Sequence, residues 1–336
     1  MKKTSLVLAA LVCGISLFGA AACAPEEAEK TYSVYAPDGA PALSLASVIA
    51  EDDGAFSCHV IDSAAVQTYV TGKQPAADFC VLPVNLASKL LGTGETYQML
   101  GTVTNGNLYF LTTDGEAITG QTLSLLVGKK VGVVQLANVP GLTFEAMLKA
   151  NSLSYSVCQP GSEADPDVVN LVAVDAQTGV TPAGGCDYYL CPEPAASAKV
   201  KGTADKPKKL VFAGDLQALY GDGEGYPQAV LVARRSVIEQ DPQAVETLVS
   251  YFEESEAYLA SVSAETVVSL LDGKRTEGLA PSFTAANLTA EVIAHCSVRY
   301  TPSKQCRETV DAFLSELISV KADAASAVAE SFYYLG

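Results

Sequence analysis

The stretch Asp78-Phe79-Cys80-Val81-Leu82-Pro83-Val84-Asn85-Leu86-Ala87-Ser88 returns 109 residues later as Asp187-Tyr188-Tyr189-Leu190-Cys191-Pro192-Glu193-Pro194-Ala195-Ala196-Ser197. Asp, an aromatic residue, Pro, Ala and Ser fall in register. In each copy an acidic residue opens a run of four apolar residues, a proline closes it, and a segment of helical pattern follows. A short, wholly apolar run bounded in this way predicts a strand covered on both faces. Upstream, the alternating Thr31–Tyr35 predicts a strand. A turn through Ala36–Pro41 leads to a helix over Ala42–Ala50, with Leu43, Leu45, Val48 and Ile49 near one face. Lys130–Val134, Gln135–Gly141 and Leu142–Ala150 repeat that order. Pro41 and Pro140, 99 residues apart, both sit in a first helical turn, where a missing N–H costs nothing. Between these landmarks, Cys58–Asp62 with Ala64–Thr71 corresponds to Val169–Asp175 with Ala176–Val180. Each copy reads strand–helix three times over, which demands a parallel sheet covered on both faces.

Two such copies need two sheets, and the 336-residue length suits two lobes. A hydrophobic fraction of 49% and a mean hydropathy of +0.23 exclude a disordered chain. Lys and Arg number 21 and Asp and Glu 38, a net charge of −17. With no basic run to offset it, that charge argues against nucleic acid as a partner. The chain has no Trp, so a sugar site of stacked indoles is excluded, although its 15 Tyr residues could substitute.

Residues 1–22 predict a secretory signal: basic Lys2-Lys3, an apolar Leu6–Phe18, and small residues up to Cys23. The ending Ala20-Ala21-Ala22-Cys23 resembles a bacterial lipobox, with Ala20 where Leu is usual, and implies that Cys23 is lipidated. An ordinary signal cleaved nearby is the alternative. Residues 23–30 then form an acidic linker, and loss of Lys2 and Lys3 takes the charge to −19. No later run reaches the ~18–20 apolar residues of a membrane span. Seven further cysteines follow, at 58, 80, 158, 186, 191, 296 and 306. In an exported chain pairing is the rule, yet seven is odd. Cys58 and Cys80 read as buried small hydrophobes. Cys186 and Cys191 lie on opposite faces of one strand, roughly 16 Å apart, too far to bridge. Only Cys296 and Cys306, which bracket a turn-like Tyr300–Lys304, could pair. With two histidines, His59 and His295, and no metal-ligand spacing, neither a metal nor a cofactor is expected.

The repeat has company that resembles a known family. Tyr35–Ala42 (YAPDGAPA), Asp78–Ala87, Gly101–Thr113 (GTVTNGNLYFLTT), Val139–Leu153, Asp187–Ser197 and Gly225–Val245 together resemble the extracytoplasmic solute-binding proteins of ABC importers. The nitrate/sulfonate/taurine and thiamine-precursor type (SsuA-like) is nearest. The resemblance covers about residues 31–270, is weakest over 161–185, and is specific for no substrate. It implies an α/β, two-lobed periplasmic-binding-protein-like fold of type II, each lobe a parallel-rich sheet flanked by helices. Lobe I would comprise 31–106 and 228–336, and lobe II 112–222. Crossovers near Leu108–Thr112 and Tyr226–Val230 would form the hinge, and the lobes would close on solute. It further implies a lipid-anchored monomer on the extracytoplasmic face of the membrane, working with a permease and its ATPase to capture a small polar or heteroaromatic solute.

Ligands of open parallel sheets bind beyond the carboxyl ends of the strands. Asp38, Gly39 and Ala40 form such a turn in lobe I, where Gly39 permits close approach and Asp38 either meets ligand or caps the helix. Asn85 and Asn138 start helices in the two lobes and present the same choice. Glu193 stands between two prolines at a strand end, where packing needs no charge. A carboxylate facing the cleft would favour a cation or hydrogen-bond donor. Asn105 and Asn107 enter the hinge, and Tyr226 and Gln228 leave it; Tyr226 suits a flat ring or packs in the hinge. Beyond Asp241 and Pro242, a capped amphipathic helix to Leu259 and further helices to Leu317 are expected on lobe I, and the tail 318–336 has helical pattern without a destination. The competing classes are an enzyme and a sensing lipoprotein. No GxSxG elbow occurs, Gly221–Tyr226 (GDGEGY) precedes a strand and not a helix, and the Cys-rich run of the fungal thiamine-pyrimidine synthases that share the fold is missing.

Overall fold

A computed structural model describes residues 30–220 and 223–336. The signal, Cys23 and its linker up to Ala28-Glu29, and Gly221-Asp222 of the GDGEGY run, lie outside the described residues. Twelve strands form two six-stranded sheets. The lobe I sheet holds β1 (Tyr32–Pro37), β2 (Phe56–Ile61), β3 (Phe79–Pro83) and β4 (Tyr97–Thr104). The lobe II sheet holds β5 (Leu108–Thr112), β6 (Lys130–Val134), β7 (Tyr155–Cys158), β8 (Val169–Val174), β9 (Tyr188–Pro192) and β10 (Val211–Asp215). The chain then returns to lobe I for β11 (Ala229–Arg234) and β12 (Val298–Pro302). Spatial order is β12-β4-β11-β3-β1-β2 in one sheet and β10-β5-β9-β6-β8-β7 in the other.

The repeated eleven-residue stretch is the structural centre of each sheet. Every residue of Phe79–Leu82 is inaccessible to solvent, and Tyr188–Cys191 is buried throughout. The in-register aspartates do the same work in both lobes. Asp78 accepts the Ser33 N–H of β1 at 3.0 Å, and Asp187 accepts the Lys130 N–H of β6 at 2.8 Å. Each carboxylate thus fastens the first strand of its repeat to the third. Pro41 and Pro140 both fall in first helical turns, of Ala40–Leu43 and Val139–Ala150.

Several expected elements differ. The helix over 42–50 is broken in two, Ala40–Leu43 and Ala46–Glu51, with Ser44 Oγ donating back to Pro41 O at the break. Ala176–Val180 is a turn and not a helix. Asp175 accepts from the N–H groups of Gln177 and Thr178, both at 2.9 Å, a local bonding pattern that competes with helix. Leu108–Thr112 is the strand β5 and not a crossover, because it pairs along its whole length with β9. The helix capped by Asp241 ends at Glu253, with Ser255–Ser261 a second helix. Cys296 and Cys306 are free, as are the other five described cysteines: the segment between them is β12, not a turn. The tail has a destination. After the helix Ser303–Val320, residues 321–336 follow lobe I through a turn and the short 3-10 helix Glu330–Phe332, and Tyr334 N–H reaches Met99 O of β4.

One continuous core crosses from lobe to lobe. It takes in Leu82, Val84 and Met99 of lobe I, Phe110, Leu142 and Phe144 of lobe II, and Val310, Phe313 and Leu317 of the Ser303–Val320 helix. That helix was expected on lobe I alone; it packs on β4 and also on the lobe II helix Val139–Ala150.

Candidate functional site

Strand directions locate the site. β11 runs antiparallel to both β3 and β4, so β4 points the same way as β1, β2 and β3 and ends, at Thr104, on their carboxyl edge. After three intervening residues β5 begins with Leu108 opposite Pro192, the carboxyl end of β9. The crossover Asn105-Gly106-Asn107 therefore joins carboxyl edge to carboxyl edge. The return does the same: β10 ends with Asp215 opposite Tyr109, and β11 begins with Ala229 opposite Pro83 and Thr104. The carboxyl edges of the two sets of parallel strands, the kind of edge at which open α/β sheets bind ligands, face each other across the crossovers.

The crossovers are built on glycine. Gly106 has φ +100°, and a Cβ there would lie 2.6 Å from the Tyr226 ring. Gly225 has φ +86°, and a Cβ would lie 2.1 Å from Asn105 O. Both conformations favour glycine, and both contacts forbid anything larger. Buried polar side chains surround them. Asn107 Nδ2 donates to Glu193 O at 3.3 Å, its Oδ1 accepts from Gln228 Nε2 at 2.8 Å, and Gln217 Oε1 accepts the Leu108 N–H at 2.7 Å. Thr104 Oγ1 and Gln228 Oε1 are buried without a protein partner, and Tyr226 OH and Gln217 Nε2 are buried close to the Asn107 backbone and the Tyr109 hydroxyl without a well-formed bond to either. Buried groups of this kind are matched by water or by ligand. Burial pushes the Tyr226 phenol well above its ordinary range, so it is a neutral donor and acceptor.

The expected site residues divide. Asn107, Glu193, Tyr226 and Gln228 come together at the crossovers. Asn105 adjoins them, with Nδ2 3.2 Å from Arg299 O, and lines a cavity of about 520 Å³ with Glu256, Leu259, Ile293 and Arg299. No residue of the lobe II sheet lines that cavity. Tyr226 packs in the hinge, its ring stacked on Phe313 at 5.3 Å. Asp38 neither caps a helix nor stands free: it forms a buried ion pair with Arg275 and accepts the Ser282 N–H at 2.7 Å. Gly39, with φ +104°, begins the first helix, and Ala40 is buried behind it. Asn85 points away to the tail, Nδ2 donating to Ala324 O at 3.0 Å. Asn138 precedes the helix Val139–Ala150, exposed and without a capping side-chain bond.

Glu193 is placed where expected but is not open to solvent. Its side chain is 0% exposed. Ser197 donates to it twice, from Oγ at 2.7 Å and from N–H at 3.1 Å. The third donor comes from lobe I: His295 Nδ1 lies 2.7 Å from Oε1. His295 reads from sequence only as an ordinary fold residue, and Gln217, Thr104 and Tyr109 were not singled out, since nothing local marks a lone His or Gln as an edge residue. Their common signal is position next to a strand end, and β10 and β12 were not recognised. A larger hollow of about 770 Å³ lies at the opposite edge of lobe I, where Arg234 and Arg235 are engaged by Asp78 and Glu239. Among the described residues no group of three or more His, Cys, Asp or Glu could hold a metal, and no helix is long and apolar enough to cross a membrane.

No protein-family model and no curated protein sequence matches the chain. Solved structures do. An ABC transporter protein from Parabacteroides distasonis superposes with a TM-score of 0.68 at 16% identity, over 91% of this chain and 99% of its own. The periplasmic aliphatic sulphonate-binding protein SsuA of Escherichia coli gives 0.57 at 15%, over 92% and 95%. A ligand-binding component of an ABC-type import system from Staphylococcus aureus, solved with zinc bound, gives 0.54 at 11%, over 91% and 96%. At such identities the likeness is one of fold: this chain has the two-lobed fold found in solute-binding components of ABC importers.

Proposed function

We propose that the chain is the solute-capturing component of an ABC import system, tethered to the extracytoplasmic face of the membrane through lipidated Cys23. The observation that carries the reading is the meeting of two carboxyl edges at crossovers lined by unpartnered buried polar atoms. The solute is small and polar or heteroaromatic, held by Asn107, Tyr226, Gln228 and Gln217, a neutral set of donors and acceptors. Glu193 joins this set in an open arrangement, once His295 withdraws. The partners are a permease and its ATPase, and the working form is a monomer. Native mass spectrometry of protein purified from its own host should find one small molecule per chain. Steady turnover of a compound with no stoichiometric ligand would instead make the chain an enzyme. Cys23→Ser should move the protein from the membrane fraction to the soluble one; an unchanged distribution and mass would remove the anchor.

A further inference from the structure

His295 ends the helix Ala290–His295 of lobe I, just before β12, and its ring is inserted into lobe II. Tyr109 of β5 stacks on it with centroids 4.5 Å apart, and Phe212 of β10 meets it edge-on at 5.3 Å. The Tyr109 hydroxyl donates to the His295 carbonyl at 3.1 Å. The Glu193 carboxylate, wholly buried, accepts from Nδ1. Since a carboxylate only accepts, Nδ1 carries a proton, and Nε2 decides whether the ring is neutral or cationic. One lobe thus supplies the cation and the other an aromatic face, an aromatic edge and a carboxylate.

We infer that His295 is a proton-operated clasp that holds the two lobes together without solute and lets go when the ring loses its charge. The inference stands on lobe geometry and needs no particular solute. The charged and titratable groups around the ring are Glu193, Asp215 at the end of β10, Tyr109, Glu291 on its own helix, and the neighbouring Cys296. The hydrogen bond to Glu193 raises the His295 value above the ordinary 6.5, partly offset by burial, and the charges of Glu193, Glu291 and Asp215 add to the rise. A group raised in the clasped state stabilises that state fully below its unclasped value, and loses that contribution as pH climbs through the raised one. Tyr109 and Cys296 are both pushed up by burial and stay neutral across this window. Loss of the charge removes the ion-pair attraction between His295 and Glu193, leaving a hydrogen bond from a neutral ring, and removes the cation from the Tyr109 face.

The chain has two histidines, so ring NMR separates them with one control variant, His59→Gln. His59, stacked on Tyr35 in lobe I, takes no part in the clasp, and burial lowers its value. In the mature wild-type protein the His295 ring should titrate above a free histidine. Small-angle scattering should give a larger radius of gyration at about pH 8.5 than at about pH 5.5, on either side of the ordinary histidine range. Glu193→Gln should abolish that difference, and His59→Gln should keep it. A His295 ring titrating at or below the free value would overturn the inference even if no variant folds. So would a pH-dependent radius that survives in Glu193→Gln, or a wild-type radius that does not change with pH.

Discussion

At the scale of single residues, the site depends on small groups whose neighbours leave no alternative. Gly106 is held at positive φ against the Tyr226 ring, so Gly106→Ala combines backbone strain with a clash. Strain of this kind alone costs about 1–3 kcal/mol, and thermal unfolding should show at least that loss. An unchanged melting temperature would mean that the crossover is not held as described. Asp38 is the second case. Its expected role was capping or ligand contact, but it joins the first turn to Arg275 and Ser282. Asp38→Asn should cost about 1.5–3 kcal/mol, the range for bonds to charged groups. Asp272, 3.2 Å from Arg275, still offsets part of the arginine charge and limits the loss. Solute affinity that falls with no loss of stability would instead put Asp38 against ligand.

At the scale of elements, the helix Ser303–Val320 matters most, because it packs on both lobes. Val310, Phe313 and Leu317 are buried in the shared core, and Phe313 stacks on Tyr226 in the return crossover. Phe313→Ala should cost about 3–5 kcal/mol, as in other large-to-small core substitutions. Hydrogen exchange should then show loosened amides in Val139–Ala150 of lobe II as well as in β4 of lobe I. Protection lost in lobe I alone would assign the helix to that lobe only. The helix has a second consequence. Lobe motion must accommodate its contact with Val139–Ala150 on one side, while on the other the lobes meet at His295. Closure and opening are therefore small movements about the Ser303–Val320 helix, and a solute bound to the unclasped form should reduce the radius of gyration only modestly.

At the scale of the whole molecule, seven described cysteines are free, five of them buried. Burial pushes the Cys80 thiol above the ordinary range, and that of Cys58 to about 12, so in the folded state both are unreactive. Unfolded, all seven become available. A denatured mature chain should titrate seven thiols, since a lipidated Cys23 carries its sulfur in a thioether. An eighth thiol would show Cys23 to be unmodified, and fewer than seven would show pairing. Much of this architecture was legible along the chain. The in-register Asp–aromatic–Pro–Ala–Ser pattern located β3 and β9, and Pro41 and Pro140 marked the starts of two helices. Local periodicity, turn chemistry and capping are properties of short segments, so sequence alone determined two α/β copies, their parallel strands and the carboxyl edge of each. Only the tertiary structure decided what shares that edge. His295 meets Glu193 across 102 residues, Asp38 meets Arg275 across 237, and Gln228 meets Asn107 across 121. Such pairs form because the chain crosses between sheets twice, and strand order and direction, not the identity of neighbours in sequence, bring them within bonding distance. For the same reason β12 and the tail went unrecognised: their destination is β4, about 200 residues earlier in the chain.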